Sequence, residues 1–202
     1  QAIDQGGLAN IGPPHDGDAD HRDTAKTFTY DDANGNLTEQ VDWGEVIGID
    51  TGTYSDTGGD KFTTDISYAT SLNILGLPKQ ETVTNQSGSK VKESKYYYDT
   101  QAHGSVTKGN LTKEEKWKTG ATYIDYEKSY DGTYGLVITE KDSRDKGTNY
   151  SYDIYNLYPA SVTNPLSQTT SYSYDYSIGK IKQVKDANGR VFQTVYDGLD
   201  RV

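Results

Sequence analysis

The chain has 202 residues, a formal net charge of −10 and no cysteine, which excludes a disulfide scaffold and a cysteine-ligated zinc site. The acidic balance argues against nucleic acid as a partner, because phosphate backbones repel a negative protein, and no apolar run of 18 residues is present to span a membrane. Only 32% of the residues are hydrophobic, but 18 are tyrosines, and this composition, with its many turn residues, predicts an all-β fold of short strands.

Residues 1–26 are predicted to form an acidic leader or loop that contains glycine and proline. Its main feature is a set of three alternating carboxylates, Asp16, Asp18 and Asp20. Alternating carboxylates supply oxygen ligands for a hard cation, so this segment is a candidate Ca²⁺ site. The EF-hand pattern is broken, since His21 stands where the sixth-position glycine belongs, and a solvated acidic loop is the plainer interpretation.

Residues 27–129 are predicted to contain repeats that are interrupted by insertions. Tyr-Asp pairs stand at Tyr30-Asp31 and Tyr98-Asp99, and Tyr68-Ala69 is a degenerate pair between them. The unequal spacing indicates inserted segments, and the sequence leaves open whether these are loops or additional strands.

Two segments of this first half alternate in charge, Lys90–Lys95 and Lys113–Lys118. Both are predicted to be strands whose charged side chains face solvent and protect sheet edges. Aromatic residues allow a different interpretation, because the rings of Tyr96-Tyr97-Tyr98, Trp43 and Trp117 have the chemistry to stack on sugars. Sheet packing is the plainer interpretation. Side chains alternate along a strand, so Tyr97 should point away from its two neighbours.

Residues 130–202 are predicted to contain regular repeats, because Tyr-Asp recurs at residues 130, 152, 174 and 196, in steps of 22 residues. A glycine follows the tyrosine by five residues in several repeats. The structural repeat positions over the whole chain are Tyr30, Asp31, Gly35, Tyr98, Asp99, Tyr130, Asp131, Gly135, Tyr152, Asp153, Tyr174, Asp175, Gly179, Tyr196 and Asp197.

Each repeat is predicted to be a β-hairpin. The aspartate accepts backbone N–H groups two residues on and opens a turn, and the glycine supplies a positive φ. A second strand follows, as in Lys180–Val184, and Asn188-Gly189 closes the unit with a strong hairpin signal. One hairpin cannot bury its tyrosines alone, so neighbouring hairpins must pair edge to edge. Strand twist then predicts a curved, spiralling sheet.

These residues resemble the Rhs/YD-repeat family. Its pattern is matched by Tyr30–Thr38, by Tyr174–Arg190 and by Tyr196–Val202, which is similar to the consensus Tyr-Asp-x-x-Gly-Arg but has Asp200 where glycine is usual. Further stretches resemble the first YD repeats of B-component-like subunits of insecticidal toxin complexes (Tc toxins), namely Trp43–Val46, Leu75–Lys79 and Gly109–Thr112. The resemblance extends over residues 27–202.

The resemblance implies a large bacterial protein, secreted or on the cell surface, whose hairpins spiral into a hollow shell around a C-terminal toxin or effector polypeptide. The implied partners are the rest of the same polypeptide or shell, its enclosed cargo and other toxin-complex subunits. No residue here matches the family's self-cleavage core. We also find no nucleophile elbow, phosphate loop or zinc-protease motif, so the chain is expected not to be an enzyme.

Two functions therefore follow from the sequence. The first is a structural segment of a secreted YD-repeat shell, as in Tc or polymorphic toxins. The alternative is a surface adhesin or carbohydrate-binding repeat module whose partners are glycans. Neither function calls for a cofactor. A third possibility is a calcium-stabilised spacer, for which Ca²⁺ at the leader is the best metal candidate.

Overall fold

The computed structural model describes residues 23–47, 54–71 and 73–202, which form fourteen β-strands and no helix. The described residues accordingly contain no helix that could cross a membrane. The chain divides after Ile124 into two compact units. The strands before this boundary are β1 (Asp23–Tyr30), β2 (Leu37–Ile47), β3 (Ser55–Asp56), β4 (Phe62–Tyr68), β5 (Pro78–Asn85), β6 (Lys90–Tyr98) and β7 (Leu111–Thr119).

The strand β8 (Thr122–Tyr130) contains the boundary and is followed by six further strands. These are β9 (Val137–Lys141), β10 (Gly147–Tyr152), β11 (Pro159–Thr163), β12 (Thr169–Asp175), β13 (Lys180–Lys185) and β14 (Val191–Gln193). Each regular repeat therefore contributes two strands of five to seven residues, a length common in globular proteins. The last strand, β14, is shorter.

Strands pair with their neighbours in the chain, and every pairing is antiparallel. The order in the first unit is β1-β2-β4-β5-β6-β7, with β3 beside the end of β2. In the second unit the strands from β8 to β14 follow one another in chain order. The predicted all-β array of antiparallel hairpins is thereby confirmed.

The insertions of the first unit contain strands as well as loops, since β3, β4 and β5 lie within them. Two loops from the insertions also meet at the sheet, where Thr70 and Ser105 form a parallel bridge. The loops enclose a small hydrophobic cluster of Ala69, Tyr98 and Val106, against which Ile74, Leu77, Tyr96 and Leu111 pack. The insertions thus supply a core that a bare hairpin lacks.

The second unit has no such core. None of the side chains of residues 125–202 is fully buried, and most strand positions are half-buried. One face carries the tyrosines of β10 and β12, and the other carries small polar groups such as the Ser151 and Ser161 hydroxyls, 2.7 Å apart. Cross-strand pairs rather than a packed interior must therefore stabilise this unit, at roughly 0.2–1 kcal/mol per pair.

Candidate functional site

The candidate functional site is the row of repeat tyrosines and aspartates, and its geometry begins with a β-bulge. In six hairpins the strand register shifts by one residue immediately before the tyrosine, because the second strand carries one additional residue. A bulge of this kind bends the second strand and increases the local twist beside the tyrosine. The tyrosines concerned are Tyr30, Tyr68, Tyr98, Tyr130, Tyr152 and Tyr174.

The tyrosine ring reaches the preceding hairpin. In the second unit the Tyr152 hydroxyl donates to the Val137 carbonyl at 3.0 Å, and Val137 is the residue that pairs with the tyrosine one repeat earlier. The same geometry recurs at four further tyrosines. The remaining bonds of this tyrosine ladder run from Tyr68 to Leu37 (2.8 Å), from Tyr98 to Pro78 (2.7 Å), from Tyr174 to Pro159 (3.0 Å) and from Tyr196 to Ile181 (2.8 Å).

Within each unit, the ladder connects neighbouring hairpins by a hydrogen bond as well as by strand pairing. A neutral hydrogen bond of this kind contributes about 0.5–1.5 kcal/mol. Burial raises the pKa of Tyr98 to about 12, and burial also raises the pKa of Tyr174. The hydroxyls of Tyr98 and Tyr174 therefore remain protonated donors at neutral pH.

The aspartate that follows each tyrosine opens a turn through its carboxylate. Its oxygen accepts the backbone N–H two residues on, for example from Ala33 to Asp31 at 3.0 Å and from Thr133 to Asp131 at 2.9 Å. Bonds of the same kind join Tyr155 to Asp153 (3.1 Å), Ser177 to Asp175 (3.0 Å) and Leu199 to Asp197 (2.8 Å). Because backbone donors favour the ionised form, the pKa of Asp131 is lowered, first by Tyr134 and Leu136.

Glycine supplies the positive φ of these turns at three repeat positions, with values of 69° at Gly35, 71° at Gly135 and 67° at Gly179. Leu157 occupies the equivalent position in the second regular repeat. There the left-handed conformation moves to Asn156, with a φ of 54°, and asparagine tolerates this region better than most residues.

Asp99 organises a longer loop than the other aspartates do. Its Oδ2 accepts the backbone N–H groups of Thr107, Lys108 and Gly109 at 2.7–3.0 Å, and its Oδ1 accepts that of Asn110 at 2.9 Å. Burial alone would raise the pKa of Asp99, but these four backbone donors outweigh it and hold the pKa well below its ordinary value. The carboxylate thus anchors the loop that carries Val106 into the hydrophobic cluster.

A second polar cluster surrounds Glu93 on β6, and it corrects one prediction. Lys90–Lys95 does form a strand, but Glu93 and Ser94 are buried rather than facing solvent. The Glu93 carboxylate accepts the Tyr123 hydroxyl and lies 3.4 Å from the Lys90 ammonium and 3.8 Å from that of Lys95. Burial raises the pKa of Glu93, yet the Tyr123 bond and the two lysines bring the net value below the ordinary one.

The aromatic residues proposed to stack on sugars are engaged within the protein. The indole N–H of Trp117 donates to the Gly120 carbonyl at 2.9 Å, and the Lys90 ammonium lies 4.8 Å from its ring. Trp43 donates to Thr27 at 3.2 Å and has the Lys61 ammonium 4.1 Å from its ring. These contacts favour a packing role for both tryptophans.

The three consecutive tyrosines divide between the two faces of the sheet. Tyr96 and Tyr98 join the hydrophobic cluster. Tyr97 instead donates to Glu115 at 2.8 Å and packs against His103, with 5.1 Å between ring centroids. The alternation expected for a strand accounts for this division.

The predicted calcium ligands Asp16, Asp18 and Asp20 lie outside the described residues. Among residues 23–47, 54–71 and 73–202, no group of three His, Cys, Asp or Glu side chains is placed to hold a metal ion. The calcium site therefore stays a prediction. A rise in melting temperature with Ca²⁺ that chelator reverses would support it, and an unchanged melting temperature would retire it.

Sequence reasoning placed the tyrosines on one face but missed the acceptors of their hydroxyls. A signal was available in the regular repeats, where donor and acceptor are always 15 residues apart, as in the pairs 152/137, 174/159 and 196/181. The column of acceptors contains Val, Pro and Ile, which share no side-chain chemistry. Only the backbone takes part, so residue type does not mark the position.

Comparison with known proteins places the fold. The chain is similar to a chain in the crystal structure of TcdB2-TccC3, with a TM-score of 0.65 and 11% identical residues. The match covers 89% of this chain but only 13% of that one. No family model and no curated protein sequence matches. At this identity the likeness concerns the fold alone, and it confirms the Tc-toxin-like fold that the resemblance implied.

Proposed function

We propose that this chain is a wall segment of a bacterial YD-repeat shell that encloses a toxin or effector polypeptide, and that its role is structural rather than catalytic. The tyrosine ladder is the observation that carries the proposal, because within each unit it links successive hairpins to one another. The fold likeness to a chain in TcdB2-TccC3 also supports the proposal. The match covers only 13% of that chain, as expected for one segment of a larger protein.

The construction of the second unit suits a wall. A container wall that is one sheet thick must present two faces to solvent, one outside and one inside. Such a wall cannot depend on a buried core, and the second unit has none. Its hydroxyl-to-carbonyl bonds and carboxylate-anchored turns provide stability that does not require either face to be covered.

The proposal assigns the remaining partners and the location. The rest of the same polypeptide would close the container, the enclosed polypeptide would occupy its interior, and other toxin-complex subunits would bind it from outside. The protein would act outside the bacterial cell or on its surface.

Limited proteolysis of the native polypeptide that contains these residues tests the proposal. We expect a product far larger than 22.3 kDa, with a C-terminal segment that protease cleaves only after the shell is unfolded. Replacing Tyr152 and Tyr174 with phenylalanine should speed that cleavage, whereas Tyr155→Phe, outside the ladder, should not. A mature product with termini near Gln1 and Val202, or a C-terminal segment cleaved equally fast before and after unfolding, would contradict an enclosing wall.

A carbohydrate-binding array is the second proposal, and the exposed tyrosines of the second unit favour it. Tyr134 and Tyr155 are 63% and 60% exposed, which leaves their rings accessible to a sugar. Binding to a glycan array that Tyr155→Ala abolishes would support this function. A negative array would count against it.

A further inference from the structure

The turns of the second unit lie at the two ends of its strands, and the two sets of turns differ. Those that follow the repeat tyrosines expose large apolar side chains, among them Ile154, Tyr155 and Leu157 in the turn after Asp153. The turns at the other ends of the strands are polar in Asp142–Lys146 and Asp186–Arg190, while the third, Asn164–Gln168, exposes one large apolar side chain, Leu166. Exposed apolar groups that are gathered at one place mark interaction surfaces more often than scattered ones do.

Aromatic rings gather around the Asp153 turn. The Tyr155 and Tyr176 rings lie 5.2 Å apart between centroids, nearly perpendicular to each other, and Tyr158 lies 6.1 Å from Tyr176. The Tyr176 hydroxyl donates to Asp153 Oδ2 at 2.9 Å. Burial raises the pKa of Asp153, but the bonds from Leu157, Tyr176 and Tyr155 bring it below the ordinary value, so the carboxylate is ionised at neutral pH.

This carboxylate has no cationic partner among the described residues, whereas the equivalent one two repeats later has an arginine. Asp153 and Asp197 accept the same backbone donors through Oδ1, from the residues two and four positions on. Asp197 Oδ2 also accepts Nε and Nη2 of Arg201, at 2.8 and 2.7 Å. Leu157 occupies the repeat position that Arg201 occupies in the later repeat. The turn after Asp153 therefore has no arginine at that position to bind the carboxylate.

We propose that the Asp153 turn is a docking site for an arginine of a separate polypeptide, whose guanidinium would bind Asp153 Oδ2 and lie against the Tyr155 and Tyr176 rings. Charge complementarity selects a cation, and the ring faces attract one. The planar guanidinium fits better than an ammonium, because it can stack on a ring while donating two N–H groups to a carboxylate. The inference stands on this turn and does not rest on the enclosing-wall function.

Titration with N-acetyl-arginine amide, followed by NMR of the tyrosine rings, tests the proposal. We expect the Tyr155 and Tyr176 resonances, assigned by Tyr→Phe variants, to shift saturably. The neutral isostere N-acetyl-citrulline amide should shift them little, and the lysine analogue should bind more weakly than arginine. Equal affinity for the citrulline and arginine probes would overturn the proposal, as would the absence of any shift.

Variants locate the site. Asp153→Asn retains an oxygen for the two turn bonds and should weaken arginine binding about tenfold, the loss expected for one charge-assisted hydrogen bond. Asp131→Asn, which removes the same charge one repeat earlier, should leave the affinity unchanged. An equal loss in both variants would show a diffuse field rather than a site, and would overturn the proposal.

A third variant tests occupancy without removing the carboxylate or the rings. Leu157→Arg places an arginine where Arg201 stands, so it should fill the site and abolish binding of the arginine probe. Undiminished binding to a folded Leu157→Arg protein would overturn the proposal. If oligosaccharides shift the two tyrosines and the arginine probe does not, the patch is a carbohydrate surface instead.

Discussion

At the scale of single residues, the Tyr-Asp pair combines two separate devices. The tyrosine joins its hairpin to the preceding one through a backbone carbonyl, and the aspartate closes the turn of its own hairpin. Turn formation could be predicted from sequence, because in the regular repeats the aspartate accepts a backbone N–H two residues on, within its own turn. The carbonyl contact could not, because it depends on which strands pair and on a bulge that shifts the register by one residue.

The ladder bond can be measured by removing one hydroxyl. Tyr174→Phe keeps the stacking on Tyr158, 4.5 Å between centroids, but loses the bond to Pro159. We expect the free energy of local opening at β12 to fall by about 0.5–1.5 kcal/mol in native-state hydrogen exchange. Tyr155→Phe is the control, because its hydroxyl is not part of the ladder. Equal effects in the two variants would remove the energetic role of the ladder.

Asp99 predicts a pH dependence of stability. Its pKa is lower in the folded protein than the value of about 3.9 for an unfolded chain. The unfolded state therefore binds the proton first, so the stabilisation is complete above about pH 5 and is lost as the pH falls below about 4. Asp99→Asn should lower the free energy of unfolding at neutral pH by about 2 kcal/mol and flatten the acid side of the melting-temperature profile. Asp32→Asn, at an exposed position, should do neither; a wild-type acid profile in Asp99→Asn would contradict the assignment.

At the scale of strands and loops, the pattern of the sequence was sufficient where contacts are local. The alternation of side chains identified β6 and β7 as strands and placed Tyr97 on the other face of the sheet from Tyr96. It failed at Glu93, because alternation cannot show that Tyr123, 30 residues away, covers the carboxylate. The insertions show the same limit, since the cluster of Ala69, Tyr98 and Val106 is assembled from segments that no single window of sequence contains.

The Glu93 cluster predicts a large effect from one substitution. The Glu93 side chain is only 8% exposed and faces two ammonium groups and a tyrosine hydroxyl. Glu93→Ala should therefore destabilise the first unit by about 3 kcal/mol, because the lysines keep their charge without a partner. Urea unfolding followed by tryptophan fluorescence reports this loss, since Trp117 packs beside Lys90.

The matched control for this variant is an exposed ion pair. Lys26 lies 2.8 Å from Asp42 in the same unit, with its side chain 47% exposed, and Lys26→Ala should cost less than about 1 kcal/mol. A loss at Glu93 no greater than that at Lys26 would show that solvent, rather than Tyr123 and the lysines, satisfies the carboxylate.

At the scale of the whole molecule, regular spacing was the most informative property of the sequence. Three equal steps of 22 residues predicted the hairpin array, because a unit that pairs only with its neighbours must repeat its pairing geometry. The sequence could not show that the turns at the two ends of the strands in the second unit differ in their exposed side chains. That difference appears only when the turns are grouped by the end of the strands at which they lie. The apolar residues around Asp153 then fall at the same strand ends as the ladder tyrosines.

An array in which each hairpin contacts only its neighbours should also unfold locally. Tyr174→Ala removes both the ring and the hydroxyl that connect β12 to β11, so amide exchange should accelerate in β11, β12 and β13. The effect should diminish at β9, which shares no ladder bond with Tyr174. Tyr134→Ala, at an exposed turn of the same unit, is the control and should leave these strands protected. Uniform acceleration from β9 to β14 would instead mean that the second unit opens as one cooperative body, and the ladder bonds would then act collectively rather than one repeat at a time.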